Sequence, residues 1–220
     1  EFHIAVPRDR SVRASASRPL TDVRIHRPAT PTPMTVDDFP LVHPAEVVAC
    51  ALTCLDELDA ICVADAALNH GDTTKEEIAE LLVGRYSKAA RLRLDQADAA
   101  ARSHVETRTR LCLRETGLRV ETGVVLEGIG EVDALVEGWL IVEDDGFEFH
   151  SSKEQFVRDR HRDQRALAAG YVPLRLTYDD VAAGEKAIVG IVSRALRGIA
   201  HSQRLYIPEN RTVLRNLGWV

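Results

Sequence analysis

From Pro44 to about Arg102, apolar residues recur at spacings of three and four, the period of a helix that buries one face. The stretch predicts four helices: PAEVVACALTCLDEL, DAICVADAALNHG, TTKEEIAELLVGR and KAARLRLDQADAAAR. Thr73 or Thr74 opens the third, with acids in its first turn. After Gly117 the period changes. EVDALVEGWLIVEDDGFEFH holds two short strands, VDALV and LIVED, around a turn at Gly138. A charged helix at about 153–169, the strand VPLRLTY and an apolar helix at about 184–200 follow. With a helix at about 103–116 ahead of them, the order is α, several β, α, β, α, which predicts an α/β core with a mixed sheet flanked by helices. At the other end, FHIAVP and DVRIHRP read as strands. Pro28, Pro31 and Pro33 stop the second from continuing, since proline cannot donate to a ladder. The expected organisation is a short β segment over 1–33, a helical region over 34–102 and an α/β domain over 103–220. A strand-like run with no cap ahead of it predicts that the chain is a piece of something longer. The tail from Gln203 onward carries no assignment.

Bulk composition changes this picture little. Hydrophobic residues at 45% and charged residues at 28% are ordinary globular usage. No apolar run approaches a membrane span and there is no signal-peptide pattern, so a cytoplasmic location without membrane association is expected. A net charge of -6 argues against a phosphate-neutralising protein, but it is unevenly placed. Arg8, Arg10, Arg13, Arg18, Arg24 and Arg27 make the N-terminal segment locally basic, and a site built of carboxylates lowers net charge by itself. Cys50, Cys54, Cys62 and Cys112 lack paired zinc-site spacing and read as buried free thiols.

Candidate chemistry sits in the hairpin. A turn centred on Gly138 sets equidistant residues opposite each other, so Asp133 faces Glu143 with Cβ atoms about 4.5–5.5 Å apart. Asp145, two residues on, shares Glu143's face by strand alternation. Three carboxylates on one face repel, and burial worsens the conflict. A bound cation removes it, and carboxylate oxygens are the donors that Mg²⁺ or Mn²⁺ prefers. Such a metal activates water and neutralises charge developing on a phosphodiester. Spacing alone does not separate this from the commoner case of a solvated hairpin face.

The run SHVETRTRLCLRETGL, then VDALV, IVEDDGFEFH and FVRDRHRDQRALAAGYVPLRLTYDDV, resembles the Vsr-like endonuclease domains, relatives of the very-short-patch repair endonuclease within the PD-(D/E)XK nucleases. The likeness spans about 103–181. It implies a restriction-endonuclease-like fold, with Glu106, Asp133 and Glu143 as the acidic site for Mg²⁺ or Mn²⁺ and His150 at the position of an active-site histidine. Asp145 would belong to the same catalytic group. Read as residues alone, Glu106 pairs with Arg110 or Arg102 at helical spacing and His150 is a loop histidine. Arg158 and Arg162 read either as nucleic-acid contacts or as a solvated helix face. The motif's Lys, two residues after the acid, is replaced by Asp145, leaving Lys153 or His150 to supply a cation.

FHIAVP, DVRIHRP and TVDDFPLVHPAEVVACALTCL are similar to the strands and first helix after the wing of AbiEi-type antitoxin regulators, without a complete helix-turn-helix. Two functions follow as expectations. The first is a metal-dependent DNA endonuclease of repair or restriction type. The second is a DNA-binding regulator or antitoxin with a vestigial nuclease fold, for which a toxin is the expected partner. DNA and a second copy of the chain are the other candidate partners.

Overall fold

The computed structural model describes residues 2–145 and 153–202, apart from 16, 18, 20, 28–32, 37–38 and 86. The chain is mixed α/β and divides into two compact units, Glu1–Ala99 and Ala100–Val220. Among the described residues no helix is long and apolar enough to cross a membrane.

The first unit opens on β1 (Phe2–Ala5) and β2 (Val23–His26), paired in parallel with His3 opposite Arg24 and Ala5 opposite His26. An antiparallel hairpin follows, β3 (Pro33–Val36) with β4 (Phe39–Val42). The proline count left no room for a strand here. Pro33 escapes that rule because it is the first residue of its strand, where a missing N–H is tolerated. Four helices come next: α1 (Pro44–Cys54), α2 (Glu57–His70), α3 (Lys75–Leu81) and α4 (Ser87–Gln96).

The break between α1 and α2 falls earlier than the apolar period indicates, because Asp56 caps α2 by accepting from the Asp59 N–H. Gly71, at φ 74°, ends α2 in the left-handed conformation. Thr74 and Glu77 form a reciprocal capping box on α3. The fourth helix stops at Gln96 instead of Arg102. There the buried Asp65 carboxylate takes the Asp98 N–H at 2.7 Å, drawing the exit segment onto α2. Val48, Leu52, Ala60, Ala64, Ile78, Leu82 and Leu94 make the core between the helices.

The second unit runs α5 (His104–Glu115), β5 (Val120–Leu126), β6 (Gly130–Val136), β7 (Leu140–Asp145), α6 (Lys153–Ala168), β8 (Val172–Thr177), α7 (Tyr178–Ala182) and α8 (Glu185–Ser202). Its sheet has the order β5-β6-β7-β8, antiparallel except for the parallel β7–β8 pair. The parallel crossover is made by α6, as a parallel pair requires. Ala134, Val136, Leu140, Val142 and Leu176 pack with Cys112 and Leu113 of α5 and with Ile188, Val192 and Leu196 of α8. Leu135 and Ile141 face the other way, toward Ala166 of α6. Alternate residues of β7 are therefore assigned to different layers, and this alternation positions the acids. The short α7 is an element the apolar pattern does not disclose. Thr177, the last residue of β8, is already its N-cap.

Candidate functional site

The β6–β7 turn decides which carboxylates meet. Glu137 and Gly138 both have positive φ, 54° and 76°, so the chain reverses within 137–139. The register pairs Val136 with Leu140, Leu135 with Ile141 and Ala134 with Val142, every pair equidistant from Gly138. One position further along this register stand Asp133 and Glu143. A bulge in this three-residue turn would have shifted the pairing; the ladder from Val136–Leu140 to Ala134–Val142 has none.

Glu143 is only 8% exposed, which is exceptional for a carboxylate without a tightly built partner set. Burial, then repulsion from Asp133, pushes its carboxyl up to about 7, while Arg162 and Arg175 pull the other way. Arg162 Nη2 lies 3.1 Å from Glu143 Oε1. The same guanidinium donates to the backbone carbonyls of Ile129 and Glu131, so α6 grips the β5–β6 turn through it. Arg162 is half-buried and carries an ion pair; Arg158 is exposed. Asp133 accepts from Arg102 Nη2 at 3.1 Å through Oδ1 and from the Asp144 backbone N–H at 2.9 Å through Oδ2. Arg102 also reaches Glu131.

Glu106 enters from the first turn of α5. Ser103 is the N-cap, accepting from the Glu106 N–H, and its hydroxyl donates to Glu106 Oε1, while the Arg102 N–H donates to Oε2. Glu106 is thus held by this capping arrangement and also feels the charge of Arg102, whose guanidinium bonds Asp133; Arg110 is fully buried. Burial raises the Glu106 carboxyl above its ordinary range, and the Asp133 charge adds to the rise.

Asp144 is a member of this group that pattern reading passes over. Alternation directs attention to Glu143 and Asp145, whereas Asp144 points to the α5 layer and accepts from the Thr109 hydroxyl at 2.9 Å. Burial lifts its carboxyl to about 7, with Asp133, Glu106 and Glu143 all adding to the rise. A third acid in the run EDD, set opposite a helix carrying Thr109, was the available signal. Asp145 lies at the exposed margin, bound to Arg175 Nη1 at 2.8 Å; Arg175 also bonds Asp163 at 3.0 Å. These two acids hold the Arg175 guanidinium protonated. His150 and the Lys153 side chain lie outside the described residues.

Four carboxyls, Glu106, Asp133, Glu143 and Asp144, thus feel one another's charge at the junction of α5, β6 and β7. Their oxygens are not drawn into a tight cage. Among the described residues, the group whose metal-ligating atoms all lie within 4.8 Å of one another is His3, His26 and Cys54. Hard oxygen donors near two arginines can release a proton to water and accept a divalent cation in its place, and they can position water. No protein-family model, curated protein or solved structure matches the chain.

Proposed function

We propose that the C-terminal unit is a metal-dependent DNA endonuclease with a restriction-endonuclease-like core, hydrolysing phosphodiester bonds in repair or restriction. One observation carries the reading: Glu143, buried beside Asp133 on the neighbouring strand, has a carboxyl pushed up to about 7 by burial and by Asp133. Burial of Glu143 beside a second acid costs stability that a bound cation would offset, and perturbed carboxyls of this kind mark functional sites. The element order helix, three antiparallel strands, helix and parallel strand supports the same reading, as does the resemblance over 103–181.

Asp133 and Glu143 would hold Mg²⁺ or Mn²⁺, with Glu106 joining once its capping bonds loosen. When bound, the ion supplies an acidified water and neutralises charge on the phosphate. Arg102 and Arg162 would turn from the carboxylates toward phosphate oxygens, as guanidinium forks suit both. Arg158 extends the basic face of α6. His150 is assigned the proton transfer, from the attacking water or to the leaving oxygen. As water adds to phosphorus the P–O bond to the leaving group breaks, and the leaving oxygen takes up a proton.

A second reading rests on a different observation. Arg102 on Asp133 and Arg162 on Glu143 already neutralise both central acids, and Asp145 stands where a catalytic lysine would be. A nuclease fold kept for binding DNA, in a regulator or antitoxin, would need no more. Incubation of the protein with plasmid and single-stranded DNA separates the two readings. Nicking with Mg²⁺ or Mn²⁺ that EDTA stops is the expected result. Binding without cleavage of either substrate would leave the regulator.

A further inference from the structure

Three ligand atoms from three separate elements converge in the N-terminal unit. They are His3 Nδ1 on β1, His26 Nε2 on β2 and Cys54 Sγ on the last residue of α1. The parallel register sets His3 beside Arg24 and Ala5 beside His26, so alternation puts both histidines on one face of the strand pair. Their nitrogens are 3.1 Å apart, and the sulfur lies 3.8 Å from His3 Nδ1 and 3.9 Å from His26 Nε2.

A histidine–histidine hydrogen bond explains the first distance but gives no reason for a thiol nearly equidistant from both nitrogens. A tetrahedral Zn²⁺ does. Bonds of about 2.0–2.1 Å to nitrogen and about 2.3 Å to sulfur put ligand nitrogens roughly 3.3 Å apart and each nitrogen roughly 3.6 Å from sulfur. The triangle in the structure departs from these edges by a few tenths of an ångström. Imidazole and thiolate are also borderline-to-soft donors, which select zinc over Mg²⁺ or Mn²⁺. The position suits a cation, since the C-terminal end of α1 carries the negative end of the helix dipole. Arg24 donates to the Cys54 carbonyl at 2.6 Å and Arg93 to those of Leu52 and Leu55, which fixes this helix end.

We propose that His3, His26 and Cys54 form a zinc site that fastens the β1–β2 pair to the end of α1, with water in the fourth position on the exposed side of His3. The site is separate from the acidic cluster and does not depend on the nuclease reading.

The test uses the whole chain, freed of metal by a chelator, titrated with Co²⁺ as a spectroscopic probe and then with Zn²⁺. A single equivalent of Co²⁺ should give a thiolate-to-cobalt charge-transfer band and the intense visible bands of tetrahedral cobalt. Zn²⁺ should displace it and raise the melting temperature, whereas Mg²⁺ in excess should not. Cys54→Ser should remove the charge-transfer band, and Cys50→Ser should keep it. His26→Gln should weaken zinc binding roughly tenfold or more, since loss of even an outer partner commonly costs that much. A doubly substituted Asp133→Ala, Glu143→Ala chain should bind zinc as before. Absence of the band from folded wild-type protein would overturn the site whatever the variants do. Its survival in Cys54→Ser would do the same.

Discussion

Asp133 accepts a hydrogen bond from the backbone N–H of Asp144, 2.9 Å from Oδ2, so the carboxylate on β6 is anchored to the strand carrying the other two central acids. That bond draws three carboxyls together across the β6–β7 ladder and leaves them to repel. The chemistry proposed for the C-terminal unit rests on this conflict, and so do its expected measurable properties.

The first prediction concerns pH. Glu143 and Asp144 have folded values near 7, above ordinary values of 4.5 and 3.8, so the folded chain binds more protons than the unfolded chain between those limits. Stability falls with pH wherever the native state holds the extra protons. As far as these groups are concerned, metal-free protein should therefore be most stable below about pH 4, lose stability progressively as pH rises from there through about 7, and level off above it. Each group contributes on the order of 3 kcal/mol, with a smaller joint effect because they share one repulsion. Urea melts at several pH values should show the fall. Added Mn²⁺ should flatten it, and an unchanged slope with saturating metal would place the ion elsewhere.

Glu143→Ala should abolish DNA cleavage while leaving the apo domain folded. It removes one of two anchoring carboxylates and relieves Asp133 and Asp144 of a neighbouring charge. Activity and metal-free stability at pH 8 should move in opposite directions, though the orphaned Arg162 offsets part of the gain. Cleavage assays paired with thermal melts give both readings. A variant that cuts DNA as the wild type does would remove Glu143 from the mechanism.

If His150 transfers a proton, His150→Ala should slow cleavage by about 10² to 10⁴ while metal affinity is spared. Calorimetry with Mn²⁺ alongside single-turnover cleavage tests the split. A matched loss of both would make His150 a ligand instead.

Gly123→Ala tests the frame around the site. Gly123 sits in β5 at φ 60°, and a methyl group there would come within 2.8 Å of the Ala100 Cβ. Positive φ and the clash together should cost about 1 to 3 kcal/mol. Chemical denaturation would show it. An unchanged midpoint would mean that the segment ahead of α5 yields freely.

Much of the second unit is legible in its sequence, because its signals are local. The apolar alternation around Gly138 fixes the register of β6 with β7 as far as Ala134 and Val142, and just beyond it Glu143 feels the charge of Asp133. The charged period of α6 and the β-rich run of β8 are read almost to their ends. What escapes depends on partners distant in sequence or on chemistry that overrides a pattern. Asp144 is hidden because its role needs Thr109, on a helix 35 residues earlier. The β3–β4 hairpin is hidden because prolines speak against strands unless their exact position is known. His3, His26 and Cys54 have no motif spacing, since the β1–β2 pairing and the end of α1 bring them together.

The reversal at 137–139 makes chain length, more than side-chain identity, the sensitive property of this hairpin. Successive residues of β7 serve opposite layers, so one residue added to that turn would exchange their duties. Glu143 would be driven to the face beneath α5, into the place where Asp144 now meets Thr109, and Val142 would take its place beside Asp133. Substitutions at the tip leave the site's composition intact, whereas a single insertion replaces an acid with an aliphatic side chain while every residue of both strands stays the same.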